Sequence, residues 1–415
     1  MGAYTIGGIA VTNLIKEYGS PLYIMDEEVI RNNCKQYKTA MDKHFKNSMV
    51  VHAGKSFCCK EMCRIAMQEG LGLDVVSGGE LATALSVGFP TDKIFFHGNN
   101  KTIAELELAV NNNVGRIVLD NYTEIDNLNA ICARSGKKAK TLIRIKPGIE
   151  AHTHEFIRTG QVDSKFGVAI HTGEAIAACE YVNSLANIEL IGIHCHIGSQ
   201  IFDCEPFEAA TGVMLDFIQQ LAQKGIDVHE LNLGGGYGIG YLPTDNPVSF
   251  ETFIEKISHV VKSLGFTELK VIIEPGRSIV ANAGITAYTV GAIKKIPGIR
   301  TYISVDGGMT DNPRYIMYQA QYDALIAERP DALREEVVTI AGKCCESGDL
   351  LIKDIKMPKI NVGDHLVILA TGAYNYSMSN NYNRTPRPPI IMVRNGEARV
   401  IVKRETYEDL MRNDI

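Results

Sequence analysis

The feature that most constrains the fold is a regular alternation of short β-rich runs with helical patterns over more than half of the 415 residues. Eight runs are rich enough in β-branched and apolar residues to be strands, at 49–55, 71–77, 93–98, 116–120, 141–147, 190–199, 230–236 and 271–277. Because helical stretches separate them, the strands should be parallel. Eight regular units favour a closed (β/α)8 TIM barrel over an open doubly wound sheet.

The pattern changes from about residue 281. Gly, Pro and Asn turns, rather than regular helices, join β-like runs at 285–296, 301–305, 337–342, 365–369, 390–394 and 398–403. That pattern predicts a mostly antiparallel β domain. The predicted division is an N-terminal segment 1–25 that packs with the β domain, a cofactor-binding barrel 26–280 and a β domain 281–415. A polar loop occupies 377–389.

Composition argues against several classes of protein. The net charge is −6, and no basic stripe is present that could neutralise a nucleic-acid backbone. No run of about 18 apolar residues predicts a membrane span, and the first residues lack a secretory signal. The ten scattered cysteines contain no CxxC pair, which is typical of reduced thiols in a cytosolic protein. We therefore expect a cytoplasmic protein without nucleic-acid or membrane partners.

Lys55 closes the first predicted strand, in the run His52-Ala53-Gly54-Lys55. The active site of such a barrel lies at the C-terminal ends of its strands, so the amine should point into the barrel mouth. Desolvation there would favour the neutral amine, a nucleophile toward carbonyl groups. The alternative is a surface lysine whose stem covers apolar surface.

The seventh predicted strand ends in three glycines, Gly234, Gly235 and Gly236. With three side chains absent in a row, backbone N–H groups could hold an anion such as phosphate. Ser199, at the end of the sixth predicted strand, could add a hydroxyl. The alternative is a tight turn, because a glycine run alone is weak evidence of a site.

The eighth predicted strand ends in a carboxylate, a turn and a guanidinium, in the run Glu274-Pro275-Gly276-Arg277. Proline cannot donate to a sheet ladder, so it marks the end of the strand. An anion acceptor beside a cationic fork suggests a bound group with a positive and a negative end. For these four residues alone, a surface turn with a salt bridge explains the pattern equally well.

Two histidines of the sixth predicted strand, His194 and His196, are two residues apart and should face the same way. They could be metal ligands, or one of them could stack against a flat ligand. A metal needs further ligands, for which His152 and His154 in a loop could be invoked. We predict no metal, and a metal-dependent barrel hydrolase stays a remote alternative.

The predicted β domain has polar clusters of its own, at 306–318, 345–349 and 372–374. Taken alone, they look like turns and an exposed thiol. They are also dense in the groups that bind amino acids, since Arg binds carboxylates, Glu binds ammonium groups, and Tyr binds phosphate or carboxylate.

Together these motifs resemble the diaminopimelate decarboxylases, which belong to the alanine-racemase-like, fold-type III pyridoxal-phosphate enzymes. The resemblance runs through nearly the whole chain and includes His52-Ala53-Gly54-Lys55, Ser77-Gly78-Gly79-Glu80-Leu81, His97-Gly98-Asn99-Asn100-Lys101, Thr159-Gly160, Ser164-Lys165-Phe166-Gly167, 194–200, Gly234-Gly235-Gly236, 274–277, 306–318, 345–349 and Gly372-Ala373-Tyr374-Asn375. One departure is local. The chain has His-Ala-Gly-Lys-Ser-Phe where many relatives have Tyr-Ala-x-Lys-Ala, but the lysine is kept.

The resemblance implies pyridoxal 5'-phosphate as the cofactor, bound covalently by Lys55. Glu274 would pair with the pyridine nitrogen, and His196 would stack on the ring. The phosphate would be held by Ser199, Gly234, Gly235, Gly236, the Pro275-Gly276-Arg277 turn and Tyr374. Catalytic roles are therefore expected for Lys55, Glu274, His196 and the thiol of Cys345, which would return a proton to the α-carbon.

The resemblance also implies a homodimer whose active site is shared, with Cys345 and Glu346 contributed by the neighbouring subunit. Recognition of the distal amino-acid end would fall to Arg277, Arg314, Tyr318, Glu346 and Tyr374. A site that binds a second carboxylate favours decarboxylation of meso-2,6-diaminopimelate to L-lysine, the last step of lysine biosynthesis. The alternative on the same fold is a decarboxylase of ornithine, lysine, arginine or carboxynorspermidine.

Overall fold

A computed structural model describes residues 2–149 and 164–415. The strands are β1 (Thr5–Ile6), β2 (Ile9–Ala10), β3 (Leu22–Asp26), β4 (Ser48–Ala53), β5 (Gly72–Val75), β6 (Ile94–Phe96), β7 (Arg116–Leu119), β8 (Ala139–Lys146), β9 (Val168–Ala169), β10 (Ile188–His194), β11 (Glu230–Asn232), β12 (Lys270–Ile273), β13 (Gly284–Ile296), β14 (Arg300–Val305), β15 (Ala324–Ile326), β16 (Glu336–Ala341), β17 (Leu350–Met357), β18 (His365–Ile368), β19 (Ile390–Arg394) and β20 (Glu397–Val402).

The helices are α1 (Val11–Tyr18), α2 (Glu27–His44), α3 (Lys60–Gln68), α4 (Gly78–Leu85), α5 (Ile103–Asn111), α6 (Tyr122–Ser135), α7 (Glu174–Ser184), α8 (Glu205–Gln223), α9 (Phe250–Ser263), α10 (Arg277–Val280), α11 (Arg314–Tyr318) and α12 (Tyr407–Met411). Polar residues begin several of them. Ser77, Thr102, Asn121 and Ser249 each accept a backbone N–H from the first turn of the following helix, which satisfies a donor that the helix leaves unpaired. Among the described residues, no helix has the length and apolar character that a membrane span requires.

The chain divides into two units, each built from separate stretches of sequence. The barrel unit contains Asn33–Ile239 and Asn246–Ser278, and the β unit contains Met1–Asn32, Gly240–Asp245 and Ile279–Ile415. The domain boundaries expected at residues 25 and 280 stay predictions.

Eight parallel strands close the barrel, which confirms the predicted (β/α)8 fold. The order is β4, β5, β6, β7, β8, β10, β11 and β12, and β12 pairs with β4. Six of these strands contribute an aliphatic or aromatic side chain to one buried apolar cluster, which consists of Val51, Phe95, Val118, Leu142, Ile191 and Ile272. The short strand β9, which was not predicted, pairs with the end of β8.

The β unit contains the predicted, mostly antiparallel sheet. Its strands follow the order β17, β16, β14, β13, β3, β19 and β20. Two neighbouring pairs, β14 with β16 and β3 with β19, are parallel. Successive residues of β13 point to opposite faces. Ile285 and Ala287 pack in one apolar core, and Tyr288 and Val290 pack in another.

Candidate active site

A buried carboxylate, that of Glu274, directly follows β12 and is 6% exposed. Its Oε1 accepts hydrogen bonds from His97 Nε2 at 2.8 Å and from Asn232 Nδ2 at 2.7 Å. His194 Nε2 lies 3.3 Å from Oε2. Burial alone would raise the pKa of Glu274, but His97 and His194 hold it well below its usual range. The barrel therefore carries an ionised acceptor where the C-terminal ends of its strands converge.

His97 is a hydrogen-bonded partner of this carboxylate. Burial would lower the pKa of His97, but Glu274 and Asp74 raise it. Asp74 Oδ1 lies 3.9 Å from His97 Nε2, and burial raises the pKa of Asp74 to about 6. The sequence analysis assigned no role to Asp74, His97 or Asn232, although each lies in or directly after a barrel strand. That position is the signal by which they could have been found.

His194 and His196, which were expected to face the same way on one strand, do not both lie in a strand. Strand β10 ends at His194, so the alternation of side chains stops before His196. The groups that approach each other are His97, His194 and Glu274, whose ligand atoms lie within 4.8 Å of one another. A metal ion could bridge that spacing, but His196 is not part of it. His152, His154 and the Thr159-Gly160 motif lie outside the described residues.

The three glycines bring separate strand ends into direct backbone contact. A Cβ on Gly235 would lie 2.2 Å from the Glu274 carbonyl oxygen, and one on Gly236 would lie 2.3 Å from the Gly198 carbonyl oxygen. A Cβ on Gly234 would lie 2.9 Å from Nδ1 of His196. The absent side chains thus allow the loops after β10, β11 and β12 to meet. Burial lowers the pKa of His196 well below its usual range, so the ring is neutral at neutral pH.

Lys55 lies in a 3-10 turn, Gly54–Ser56, that begins where β4 ends. The turn is closed by a hydrogen bond from Phe57 N–H to the Gly54 carbonyl at 3.0 Å and by one from His52 Nε2 to the Phe57 carbonyl at 3.1 Å. Gly276 packs closely against this turn, since a Cβ added to Gly276 would lie 3.0 Å from Ser56 Oγ. Lys55 is exposed, and its expected role as a nucleophile stays a prediction.

Two of the predicted ligand groups bind each other. Arg277, the first residue of α10, is buried, and its Nη2 donates to Ser199 Oγ at 2.9 Å. The barrel unit therefore brings together Lys55, Glu274, the glycines, Ser199 and Arg277 around the C-terminal ends of its strands.

In the β unit, Arg314 lies in a cage of aromatic rings and is 7% exposed. Its Nη1 donates to Tyr322 Oη at 2.6 Å and to Tyr241 Oη at 3.2 Å. The guanidinium carbon lies 5.7 Å from the ring centre of Tyr374, which was predicted to share its ligand. Among the described residues, no carboxylate forms an ion pair with Arg314. Tyr318 lies one turn further along α11, outside the hydrogen bonds and ring contacts that Arg314 makes among the described residues.

The adjacent cysteines after β16 differ in their surroundings. Burial and Asp349 raise the pKa of Cys344 to about 11, and the Cys344 N–H donates to Asp349 Oδ2 at 2.7 Å. Cys345 and Glu346 are exposed. The structure thus distinguishes Cys344, which is partly buried beside Asp349, from Cys345, which is exposed, and the catalytic role of Cys345 stays a prediction.

Comparisons with known proteins identify relatives over the full chain. A family model described as the pyridoxal binding domain of pyridoxal-dependent decarboxylases matches residues 27–281. Diaminopimelate decarboxylase of Bacillus subtilis is 48% identical, over 100% of this chain and 95% of that protein. The crystal structure of diaminopimelate decarboxylase from M. jannaschii has a TM-score of 0.94 at 35% identity, covering 100% and 96% of the two chains. The Helicobacter pylori enzyme complexed with L-lysine has a TM-score of 0.90 at 31% identity, covering 97% and 98%.

Proposed function

Because the chain belongs to the diaminopimelate decarboxylases, a family of pyridoxal-dependent decarboxylases, we propose that it converts meso-2,6-diaminopimelate to L-lysine and carbon dioxide. The protein is a carboxy-lyase, and its cofactor is pyridoxal 5'-phosphate. The relatives with L-lysine bound hold the product of this reaction, which supports the choice of substrate.

The residues of the barrel unit fit that cofactor. Glu274 is a buried, ionised acceptor suited to a protonated pyridine nitrogen. Lys55 is exposed on a turn directly after β4, and the glycines let the loops after β10, β11 and β12 come together. When bound, pyridoxal phosphate supplies an electron sink for the electron pair that the departing carboxylate leaves behind.

The predicted site residues then have the following roles toward the cofactor. Lys55 binds the cofactor covalently, Glu274 keeps the ring nitrogen protonated, and the neutral His196 stacks on the ring. The phosphate is held by Ser199, Gly234, Gly235, Gly236, Pro275, Gly276, Arg277 and Tyr374. The hydrogen bond between Arg277 and Ser199 supports a shared location for these last ligands.

The observation that carries the choice of substrate is the Arg314 cage. The Arg314 guanidinium is buried among hydroxyl groups and aromatic rings. Among the described residues it lacks the carboxylate partner that a buried cation usually has. The distal carboxylate of diaminopimelate supplies it, and Arg277, Tyr318, Glu346 and Tyr374 complete recognition of that end. Ornithine, lysine and arginine have no second carboxylate, which makes them the less favoured alternatives.

Cys345 donates the proton that replaces the lost carboxylate, and it does so with Glu346 from the neighbouring subunit of a cytoplasmic homodimer. The exposure of both residues in the single chain supports this assignment. Mixing inactive Lys55→Ala and Cys345→Ala dimers should restore partial activity through subunit exchange. If exchange is demonstrated and activity does not return, the shared site is wrong.

The substrate is tested by measuring carbon dioxide release from meso-diaminopimelate, lysine, ornithine and arginine with the purified holoenzyme. We expect kcat/KM for meso-diaminopimelate to exceed the others by at least about 10⁴-fold, because a site built to bind a polar group rejects analogues that lack it. Equal turnover of ornithine or lysine would refute the proposed substrate and favour the alternative.

A further inference from the structure

Two successive backbone N–H groups, those of Cys344 and Cys345, are both bound by side chains. Cys344 donates to Asp349 Oδ2 at 2.7 Å, and Cys345 donates to Asn383 Oδ1 at 2.8 Å. Just before them, the Lys343 N–H donates to the Gly307 carbonyl at 2.9 Å. The backbone that carries the exposed Cys345 thiol is therefore fixed at three consecutive residues.

Asp349 supplies the buried side of this arrangement and is 3% exposed. Its Oδ1 accepts the Met309 N–H at 2.6 Å, so one carboxylate joins the loop after β16 to the segment that leads into α11. Added Cβ atoms on Gly308 and Gly342 would lie 2.6 Å and 2.2 Å from Asp349 Oδ2. Glycine is required at both positions because the carboxylate fills the space between them.

Asn383 supplies the exposed side, from the polar loop 377–389. It lies in the 3-10 turn Tyr382–Arg384 with a left-handed φ of 53°. Asparagine adopts this conformation more readily than most residues, which gives one reason for its presence. The hydrogen bond to Cys345 gives a second, separate reason, because it depends on the side-chain oxygen and not on the backbone.

We propose that Asn383 is a positioning residue for Cys345, which holds the Cys345 backbone so that the thiol reaches the reacting carbon. This inference rests on the proposed function, in which Cys345 delivers the proton. A proton donor must be within hydrogen-bond reach of the atom it protonates, and a displacement of about 1 Å can cost on the order of 100-fold in rate. Asn383 touches neither substrate nor cofactor in this assignment and acts through Cys345.

The test compares Asn383→Gly with Asn383→Asp in the holoenzyme. Both replacements tolerate the left-handed backbone, but only aspartate keeps an oxygen acceptor. The matched control is Asn395→Gly, since Asn395 is also exposed and left-handed, with φ 51°, and its side chain makes no hydrogen bond among the described residues. Three quantities are measured: hydrogen exchange of the Cys345 amide, kcat and KM with meso-diaminopimelate, and the stereochemistry of deuterium that the product gains in heavy water.

In Asn383→Gly we expect the Cys345 amide to exchange about fivefold faster, the equivalent of one hydrogen bond of about 1 kcal/mol. We expect kcat to fall about 10-fold or more, because the donor loses its placement. KM and the visible absorbance of the bound cofactor should stay unchanged. Deuterium should enter the new C–H position with reduced stereospecificity, a result that a loss of stability alone would not produce. Asn383→Asp and Asn395→Gly should match the wild type.

Two outcomes overturn the inference. In the first, Asn383→Gly exchanges its Cys345 amide and turns over substrate as the wild type does. In the second, Asn383→Asp loses as much activity as Asn383→Gly, so that the oxygen acceptor is not what matters. A wild type that releases no carbon dioxide from meso-diaminopimelate would instead overturn the proposed function, so the two failures are distinguishable.

Discussion

The centres of the two units hold buried charge in different ways. In the barrel unit, the Glu274 carboxylate is surrounded by His97, His194 and Asn232, so its charge is matched by groups of the same unit. Burial there is compensated electrostatically before any ligand arrives. The cluster is therefore stabilised by residues of the barrel unit itself.

The β unit holds a charge that is equally buried but not matched in this way. The Arg314 guanidinium has the hydroxyls of Tyr241 and Tyr322 as hydrogen-bond partners, and no carboxylate among the described residues pairs with it. Hydroxyls orient a guanidinium but do not neutralise it. The barrel centre therefore pairs its charge within the unit, whereas the cage leaves the Arg314 charge without a carboxylate partner among the described residues, as the proposed substrate would require.

Glu274→Gln should have the largest effect, because it removes the charge on which the barrel centre depends. We expect kcat/KM for meso-diaminopimelate to fall about 10³-fold, since the ring nitrogen loses an ionised acceptor. Breaking the pair with His97 should lower the free energy of unfolding by about 3 kcal/mol. Steady-state kinetics and denaturant unfolding measure both. Glu274→Asp, which keeps the charge, should be milder, and wild-type behaviour of Glu274→Gln would contradict the account of the barrel.

Arg314→Met should separate activity from stability. We expect kcat/KM for meso-diaminopimelate to fall about 100-fold through loss of a charge-assisted contact. The free energy of unfolding should rise by about 1 kcal/mol, because an unmatched buried charge is removed. Arg300→Met is the control, since Arg300 is only half-buried and already paired with Asp354 at 3.1 Å. If Arg314→Met destabilises the protein as much as Glu274→Gln does, the contrast between the two centres is wrong.

The pH dependence of stability should belong to the barrel cluster. Burial lowers the pKa of His97, but Glu274 and Asp74 raise it above its unfolded value. The resulting stabilisation is fully present below the unfolded pKa of about 6.5 and is lost as the pH rises through the folded pKa. The difference in unfolding free energy between the wild type and His97→Asn should therefore shrink toward alkaline pH.

Chemical denaturation at a series of pH values measures this difference. Arg314→Met should keep the pH dependence of the wild type, because it leaves His97, Glu274 and Asp74 unchanged. A constant difference between the wild type and His97→Asn across the series would exclude a protonated His97 as the partner of Glu274.

The tyrosine hydroxyls of the cage should have the smallest effects. Tyr322→Phe removes the shorter bond to Arg314, 2.6 Å, and should raise KM for meso-diaminopimelate about fivefold. Tyr241→Phe removes the longer bond, 3.2 Å, and should raise KM only about twofold. Tyr315→Phe, on the same helix α11 as Arg314, should leave KM unchanged. The reverse order for Tyr241 and Tyr322 would mean that a different hydroxyl orients the guanidinium.

The sequence predicted the barrel because most of its strands are largely buried and apolar, a pattern that can be recognised without knowledge of the neighbours. The predicted strands run too far at their C-terminal ends. They were extended to 55, 199, 236 and 277, whereas β4, β10, β11 and β12 end at Ala53, His194, Asn232 and Ile273. The functional residues therefore lie on the loops after the strands. Composition could not mark that change because the first residues after those strands are themselves largely buried.

Four strands of the β unit were missed for local reasons. The first two, β1 (Thr5–Ile6) and β2 (Ile9–Ala10), have only two residues each. β15 (Ala324–Ile326) is too short to show a period, and β17 (Leu350–Met357) is interrupted by charged residues on its exposed face. Among the site residues, Lys55, Glu274 and Arg277 stand in local motifs that the sequence displays. Tyr241 could not be found in this way, because it is 73 positions away from Arg314 in the sequence. It lies in Gly240–Asp245, a short segment of the β unit that interrupts the sequence of the barrel unit.

The position of β3 has a consequence for how the protein is made. β3 (Leu22–Asp26) leaves the ribosome early, but its two neighbours in the sheet, β13 and β19, begin at residues 284 and 390. At about 5–20 residues per second, β3 waits on the order of tens of seconds for its second neighbour. Throughout that interval its backbone edge is unpaired and apolar side chains such as Leu22 and Ile24 are uncovered. A nascent chain stalled before residue 390 should therefore be a substrate for chaperones, even when all eight barrel strands have been synthesised.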